Sequence, residues 1–396
     1  MKIRRRDFVK TLAKGIPSAL LLNTLPSFAK AAKNSEEAAI IYRTLGKTGI
    51  RLPLISTGIL PGDNLRLCRT IFRSNIFYFD TAHVYGRNTA TLGQMLKEFG
   101  RDRFIISTKI LLPRDPTTEL YTEEATEELF FSLLDAELEK LETSYVDILY
   151  THKPSLRENI INPKVLEWFR KAKEMGKTKY IGTSNHGNQI ECLDAMIEAG
   201  EYDVAYIATN YQQLDGVDDA INRAAATGIG IVAMKCHAGG FLDKEQTLPV
   251  NKTAAVKWTL QNPNVCTATI TFRSYEDLEL HLPLMHDITM TESERDDLKE
   301  FSHRTEYVGL FCHGCRECVA QCPKRLPIPD AMRAYMYNYG YNDRAKALTT
   351  LGKLNISSST CNDCPTCVVK CRRNFAIHER MIDMCRLKEN NTIKFA

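Results

Sequence analysis

The cysteines of this chain are concentrated near its C-terminal end. Of 13 cysteines in 396 residues, eight lie in two runs with the same spacing, C-x2-C-x2-C-x3-C. These eight residues are Cys312, Cys315, Cys318, Cys322, Cys361, Cys364, Cys367 and Cys371. A disulfide framework is normally spread through a small secreted domain, so the local crowding indicates a metal site instead.

The spacing of the two runs resembles that of bacterial two-cluster ferredoxins, in which the fourth cysteine of each run binds the other 4Fe–4S cluster. The resemblance implies one cluster on Cys312, Cys315, Cys318 and Cys371, and a second on Cys361, Cys364, Cys367 and Cys322. Zinc is the alternative, because two C-x2-C pairs also form an all-thiolate tetrahedral site. Two consecutive runs of this kind favour iron–sulfur. The 38 residues between the runs predict an intervening helix over about 328–337.

Four ionisable residues in the first half of the chain are candidates for catalysis. Asp80 closes a strand-like run, and Tyr85 lies five residues later. Lys109 and His152 lie at or just past the ends of the next two such runs. Taken singly, a lysine at a strand end is usually solvated and a histidine there is often a hydrogen-bonded loop residue. In a (β/α)8 barrel, however, catalytic groups lie where the strands end, so one mouth would collect all four.

The elements that must position these residues alternate between strand and helix from about residue 40 to 290. Eight strand-like runs cover residues 54–60, 76–80, 104–110, 146–150, 179–184, 204–209, 229–235 and 267–272. Several are almost continuously apolar, as expected of parallel strands covered on both faces. Helical patterns separate them, most clearly over 123–142, and no G-x-G-x-x-G follows the first run. The alternation therefore predicts an α/β fold, a (β/α)8 TIM barrel, with a small hairpin near residues 42–50 capping its bottom.

The sequence around the four candidates resembles the aldo/keto reductase family over roughly residues 40–290. The matching segments are Phe79-Asp80-Thr81-Ala82-His83-Val84-Tyr85-Gly86, Ile106-Ser107-Thr108-Lys109 and Asp147-Ile148-Leu149-Tyr150-Thr151-His152, extended by Leu92-Gly93, Gly176-Lys177-Thr178 and Ile181-Gly182-Thr183-Ser184-Asn185-His186. The resemblance implies hydride transfer between a nicotinamide cofactor and a carbonyl or alcohol substrate.

The resemblance also implies a role for each of the four residues. Tyr85 would give the carbonyl oxygen its proton as general acid. A free tyrosine has a pKa of about 10, which a nearby Lys109 ammonium would lower. Asp80 would keep that lysine charged and in place. His152 would hydrogen-bond the carbonyl oxygen and fix its direction.

The nicotinamide site implied by the resemblance departs from the family pattern. Ser184 and Asn185 match the pair that holds the carboxamide. Tyr206 and Thr209 stand where the family usually has Gln and Tyr, and Met234 stands where an aromatic side chain usually faces the nicotinamide. These departures leave open a barrel that keeps the proton-transfer residues but binds the cofactor weakly or differently.

The phosphate end of the cofactor site is implied at the eighth strand. Arg273 and Ser274 follow that strand, where the family usually has a glycine-containing loop that meets the 2′-phosphate. A guanidinium suits bidentate recognition of a phosphate. The resemblance thus implies NADP(H) or NAD(H), with the choice between them open.

The first 31 residues resemble a twin-arginine (Tat) export signal. Arg5 and Arg6 precede Phe8-Val9-Lys10, a short apolar stretch follows, and Ala29-Lys30-Ala31 is an A-x-A cleavage site. A frayed basic N-terminus is the alternative. The signal implies passage through the Tat translocase to the periplasm. That route carries folded proteins, which suits clusters assembled in the cytoplasm.

Composition excludes several classes of protein. Apolar residues are 44% and charged residues 25%, the balance of a globular chain. Lys+Arg 52 against Asp+Glu 48 gives a net charge of only +4, so no nucleic-acid partner is expected. The longest apolar stretch, 16–25, is interrupted by Pro17 and too short to span a bilayer, so an integral membrane protein is not expected either.

The sequence thus predicts four segments: a Tat signal (1–31), an aldo/keto reductase-like barrel (40–290), a linker helix (291–306) and a small two-cluster ferredoxin-like domain (307–396). One hypothesis is an oxidoreductase acting on a small carbonyl or alcohol, with two 4Fe–4S clusters for electron transfer. The other is an exported iron–sulfur protein that passes electrons to a redox partner and uses its barrel mainly as a scaffold.

Overall fold

The computed structural model describes residues 39–58, 62, 64–303, 309–362, 364 and 366–392, and the predicted export signal lies outside them. The described chain begins with an antiparallel hairpin of β1 (Tyr42–Thr44) and β2 (Arg51–Pro53). Gly46, in the hairpin turn, lies so close to Gly228 that a Cβ there would be 2.3 Å from the Gly228 carbonyl oxygen. The predicted hairpin thus packs against the N-terminal ends of the barrel strands.

Eight parallel strands close into a barrel, which confirms the predicted fold class. They are β3 (Ile55–Thr57), β4 (Tyr78–Asp80), β5 (Ile105–Ile110), β6 (Val146–His152), β7 (Thr178–Asn185), β8 (Val204–Ala208), β9 (Gly230–Met234) and β10 (Val265–Ile270). Neighbours in sequence pair in order, and β10 closes the ring against β3. Every residue of β6 is buried, because helices cover the outside of the barrel.

Helices connect the strands and shield their outer faces. They are Leu65–Arg73, Arg87–Phe99, Glu127–Lys140, Arg157–Ile160, Pro163–Glu174, Gln189–Ala199, Val217–Ala226, Lys252–Gln261 and Tyr275–His281. In the helix after β5, the hydroxyl of Thr126 accepts a hydrogen bond from the amide of Leu129 and caps the N-terminus, while Phe130 and Leu134 are fully buried. A further helix, Glu292–His303, lies where the linker helix is predicted.

The described part of the C-terminal segment is helical. Its helices are Glu317–Gln321, Ile328–Tyr335, Arg344–Leu351, Ser358–Asn362 and Ile377–Thr392. The second of these is the helix predicted between the two cysteine runs, and a π-helical turn, Met336–Gly340, continues it. No helix in the described part of the chain is both long and apolar enough to cross a membrane.

The C-terminal domain packs against the loops at the C-terminal ends of the barrel strands, and Ile40–Ala396 form one compact unit. The amide of Asn188 donates to the carbonyl of His313 at 2.9 Å, and the amide of Gly240 donates to that of Gly340 at 2.6 Å. A Cβ on Gly187 would lie 2.6 Å from the His313 carbonyl oxygen, so only glycine allows this approach. The cluster domain therefore covers the face where a barrel carries its active site.

Candidate active site and cluster sites

An ion pair lies beneath the barrel mouth. Asp80 is the last residue of β4 and Lys109 is the fifth of β5, and the Lys109 ammonium pairs with Asp80 Oδ2. The same ammonium donates to the Thr81 carbonyl at 2.8 Å, and Ser107 Oγ donates to Asp80 Oδ1 at 2.6 Å. Burial raises the pKa of Asp80 and lowers the pKa of Lys109, and their mutual attraction opposes both shifts. The pair is therefore held in place on every side.

Tyr85 lies beside this pair and is partly exposed. It ends a short 3-10 turn, and its ring centroid is 4.8 Å from Lys109 Nζ and 6.0 Å from the His152 ring, edge to face. The sequence-based expectation is that Lys109 lowers the pKa of Tyr85, and the net shift runs in the other direction. Burial, followed by the charges of Asp80 and Tyr337, raises the pKa of Tyr85 well above its usual value. The Lys109 ammonium opposes this shift without reversing it.

His152, the last residue of β6, is buried at the bottom of the mouth. Neither ring nitrogen has a hydrogen-bond partner among the described residues. Burial lowers the pKa of His152 well below its usual value, and the nearby charge of Lys153 lowers it further. The imidazole is therefore neutral near pH 7, with both nitrogens open to a ligand.

Tyr85 and His152 face a cavity of about 1560 Å³ between the barrel and the C-terminal domain. Tyr85, His152 and Arg273 line it from the barrel, and Tyr337 and Lys346 line it from the C-terminal domain. Such a volume exceeds that of ordinary small-molecule sites, which are about 300–1,000 Å³. It has room for two ligands side by side.

The residues predicted to bind the nicotinamide differ in how well their surroundings suit that role. The hydroxyl of Ser184 is fully buried and has no partner in the described part of the chain, but Ser184 is not among the side chains that line the cavity. Asn185 is engaged by the fold itself, since its Nδ2 donates to the Pro154 carbonyl at 2.6 Å. Met234 is buried at the end of β9, and Tyr206 donates or accepts a 2.8 Å hydrogen bond with Thr269 at the cavity wall. Ser184 is thus the candidate that fits best.

The two residues predicted to bind the cofactor phosphate already have partners within the protein. The Arg273 guanidinium forms a 2.9 Å ion pair with Asp343 of the C-terminal domain. Ser274 Oγ accepts from the amide of Asp277 at 3.2 Å and caps the helix Tyr275–His281. A phosphate would have to displace Asp343 from Arg273, although the guanidinium does line the cavity.

The cysteines fall into the two sets that the ferredoxin resemblance implies. Cys312, Cys315, Cys318 and Cys371 line one small cavity. Burial, together with the charges of its three companions, raises the pKa of Cys318 to about 12. The amide of Gly314 donates to Cys312 Sγ at 3.4 Å, a bond that stabilises a thiolate or a cluster sulfur.

The second set of cysteines is grouped by the effect that the charges of its members have on the pKa of Cys361. Burial raises the pKa of Cys361, and the charges of Cys364, Cys322 and Cys367 raise it further. Across the described residues, no three metal-binding side chains converge on one point as single-ion ligands. In the first set, four thiols instead surround a cavity, and that arrangement suits a cluster of several irons.

Four residues of the cavity wall were not predicted from the sequence to be site residues. Lys235 Nζ donates to the hydroxyl of Tyr337 at 3.3 Å, and Lys153 and Lys346 lie nearby. Although burial alone would raise it, the pKa of Tyr337 is lowered to about 6 by these cations. The only local signal was that Lys235 and Lys153 follow barrel strands; the position of Tyr337 depends on how the C-terminal domain packs.

Comparisons with known proteins agree with both halves of the fold. Residues 53–279 match the aldo/keto reductase family, and residues 311–376 match the 4Fe-4S dicluster domain. An aldo-keto reductase from Bacillus halodurans, in holo form, superimposes with a TM-score of 0.54 at 18% identity. The superposition covers 66% of this chain and 96% of that one, and it shows the shared barrel fold.

Two curated enzymes resemble parts of the barrel. L-glyceraldehyde 3-phosphate reductase of Escherichia coli is 30% identical over 160 residues, which are 37% of this chain and 45% of that protein. Methylglyoxal reductase of Yersinia pestis is 30% identical over 182 residues, which are 44% of this chain and 61% of that protein. The chain therefore spans only about half the length of these relatives.

Proposed function

Because this chain belongs to the aldo/keto reductase family, and is thus an oxidoreductase, we propose that it reduces the carbonyl group of a small molecule, or oxidises the matching alcohol, in the cavity at the barrel mouth. The observation that carries this proposal is that Tyr85 and His152 line one cavity, with the buried Asp80–Lys109 pair directly beside the Tyr85 ring. The relatives named as reductases of small aldehydes support the substrate class.

Each of these side chains has a defined part in the reaction. The raised pKa of Tyr85 keeps its phenol protonated near neutral pH, so its proton is available to the carbonyl oxygen. Neutral His152 donates a hydrogen bond to the same oxygen and fixes the orientation of the carbonyl. The buried Lys109 ammonium, held by Asp80, faces the Tyr85 ring and favours the negative charge that develops on the phenol as the proton leaves.

A nicotinamide dinucleotide, NADP(H) or NAD(H), supplies the hydride when bound. Ser184 would hold its carboxamide, because the hydroxyl is buried and unsatisfied among the described residues. Arg273 would bind a phosphate once Asp343 is displaced. These two residues define the ends of the proposed cofactor site.

The two 4Fe–4S clusters are proposed to carry electrons between this cavity and a redox partner. The helix Ile328–Tyr335 supports the proposal, because Pro329 and Met332 line the first cysteine cavity while Asp330 lines the large one. One helix thus separates the cluster site from the barrel mouth.

A second candidate function is an iron–sulfur electron-transfer protein whose barrel is mainly a scaffold. Two observations favour it: the amide of Asn185 is satisfied within the protein, and Arg273 is paired with Asp343. In this case no dinucleotide binds, and electrons enter and leave through the clusters alone.

Titration of the anaerobically purified protein with NADPH distinguishes the two functions. We expect nicotinamide fluorescence to change on binding, and Ser184→Ala to raise the Kd about 3- to 10-fold through the loss of one hydrogen bond. Ser74→Ala, at the end of an outer helix, is the matched control and leaves the Kd unchanged. Absence of binding to the wild-type protein, for NADPH and NADH alike, favours the scaffold.

We also propose that the protein is exported through the Tat pathway to the periplasm. The support is the sequence of residues 1–31, with Arg5 and Arg6 before an apolar stretch and an A-x-A site. An Arg5→Lys/Arg6→Lys variant should stay in the cytoplasm with its iron, whereas the wild type should reach the periplasm shortened by about 31 residues. Arg4→Lys is the control and should be exported. Normal export of the double variant contradicts the proposal.

A further inference from the structure

Three of the lysines in the cavity wall lie near Tyr337, and the proposed proton transfer uses none of them. Lys153 directly follows β6, Lys235 directly follows β9, and Lys346 lies in the helix Arg344–Leu351 of the C-terminal domain. All three line the cavity, and we refer to them as the lysine cluster. The barrel and the cluster domain therefore build this part of the wall together.

The lysine cluster surrounds the ring of Tyr337. The ring centroid is 5.0 Å from Lys235 Nζ and 4.7 Å from Lys346 Nζ, and Lys235 also donates to the hydroxyl. The Lys153 ammonium has no hydrogen-bond or ion-pair partner in the described part of the chain. Arg333, the next cation, is paired with Asp330. Two of the ammonium groups thus lie over one phenol, and the third, Lys153, is close enough to Tyr337 and Asp330 for their charges to raise its pKa.

The three ammonium groups outnumber the single negative charge that the Tyr337 phenol can supply. Burial, opposed by the charge of Tyr337 and assisted by that of Arg333, lowers the pKa of Lys153 to about 7 and that of Lys235 to about 8. Cations that are desolvated and mutually repelled gain most from an oxyanion, which accepts several charge-assisted hydrogen bonds at once. A carboxylate or a phosphate has the right charge and number of acceptor oxygens.

The lysine cluster lies beside the proton-transfer residues. The charge of Tyr337 is among the causes that raise the pKa of Tyr85, and the charge of Lys153 lowers that of His152. All of these side chains line one cavity. An anionic group bound at the cluster would therefore be near a carbonyl held by Tyr85 and His152.

We propose that Lys153, Lys235 and Lys346 bind the carboxylate or phosphate of an anionic carbonyl substrate while its carbonyl oxygen lies at Tyr85 and His152. This inference rests on the proposed function and names its substrate class. It also gives the C-terminal domain a direct part in substrate recognition, through Lys346.

A matched pair of aldehydes tests the inference without any dinucleotide. The holoprotein, purified anaerobically, is titrated by calorimetry with 4-carboxybenzaldehyde and with its uncharged methyl ester. We expect the carboxylate to bind at least about tenfold more tightly, and Lys235→Gln or Lys346→Gln to remove about tenfold of that preference. Lys235→Arg retains the positive charge and should retain most of the preference for the carboxylate. Lys97→Gln, at a side chain 76% exposed on the outer surface, is the control and should change nothing.

The outcomes separate this inference from the proposed function. Equal affinities for the two aldehydes, or a preference that survives both glutamine substitutions in variants with full iron content, overturn the inference. If the glutamine variants weaken NADPH binding by the same factor and leave the aldehyde preference intact, the oxyanion belongs to the dinucleotide and the substrate assignment is wrong. NADPH-dependent reduction of the methyl ester tests the proposed function alone, because the ester has no anionic group.

Discussion

Replacing Tyr85 with phenylalanine should lower kcat/KM for NADPH-dependent carbonyl reduction by about 10²- to 10⁴-fold, the contribution of one positioned general acid. The substitution removes only the hydroxyl. The ring that faces Lys109 and packs edge to face on His152 is kept, so dinucleotide affinity should change less than about twofold. Steady-state kinetics and a fluorescence titration on the same preparation measure the two quantities.

The control for this substitution is Tyr180→Phe. The hydroxyl of Tyr180 donates to the Thr48 carbonyl at the opposite end of the barrel, so its removal should leave the kinetics unchanged. Lys109→Met should act like Tyr85→Phe, since the developing phenolate then loses its cation. Near-normal turnover in Tyr85→Phe would falsify the assignment of Tyr85 as proton donor.

The pH profile adds an independent check on Tyr85. Because its pKa is raised, the donor form persists throughout the neutral range, and no loss of rate below about pH 10 should come from its ionisation. Tyr337 differs, since its pKa of about 6 makes it mostly anionic at neutral pH. It therefore cannot replace Tyr85 as the acid, although it lines the same cavity.

Local sequence patterns predicted the barrel because each strand carries its own signal. The runs at 104–110 and 146–150 became β5 (Ile105–Ile110) and β6 (Val146–His152), with bounds differing by one or two residues. Parallel strands buried on both faces must be apolar throughout, so their number and order are visible in the sequence. The same reasoning placed Asp80 and Lys109 near one mouth, because the topology brings the ends of successive strands together.

The sequence could not predict the contact between the two domains. Tyr337 and Asp343 lie more than fifty residues beyond the last barrel strand, and no local pattern shows that they reach the cavity or pair with Arg273. The pKa of Tyr85 was missed for a related reason. Its direction depends on burial and on the nearby charges of Asp80 and Tyr337, and these are tertiary properties.

The resemblance of the two cysteine runs to those of two-cluster ferredoxins leads to a second prediction with a large expected effect. The wild-type protein, purified anaerobically, should contain about eight irons and eight sulfides, with a broad visible absorption that dithionite bleaches. Cys371→Ala should reduce the iron content to about four. The reason is that Cys371 shares a cavity with the first run, although it belongs to the second. Cys385→Ala removes a buried thiol of the same domain outside both runs, and it should retain about eight irons.

Double variants show which cluster each cysteine binds. Removing one ligand already eliminates a cluster, so removing a second ligand of the same cluster causes no further loss of iron. Cys371→Ala/Cys312→Ala should still contain about four irons, since both residues hold the same cluster. Cys371→Ala/Cys361→Ala should contain almost none, because one ligand is then missing from each. If each run instead held its own cluster, the two results would be exchanged, and the path from the first cluster through the helix Ile328–Tyr335 to the cavity would lose its basis. Zinc without acid-labile sulfide in the wild type would contradict both arrangements.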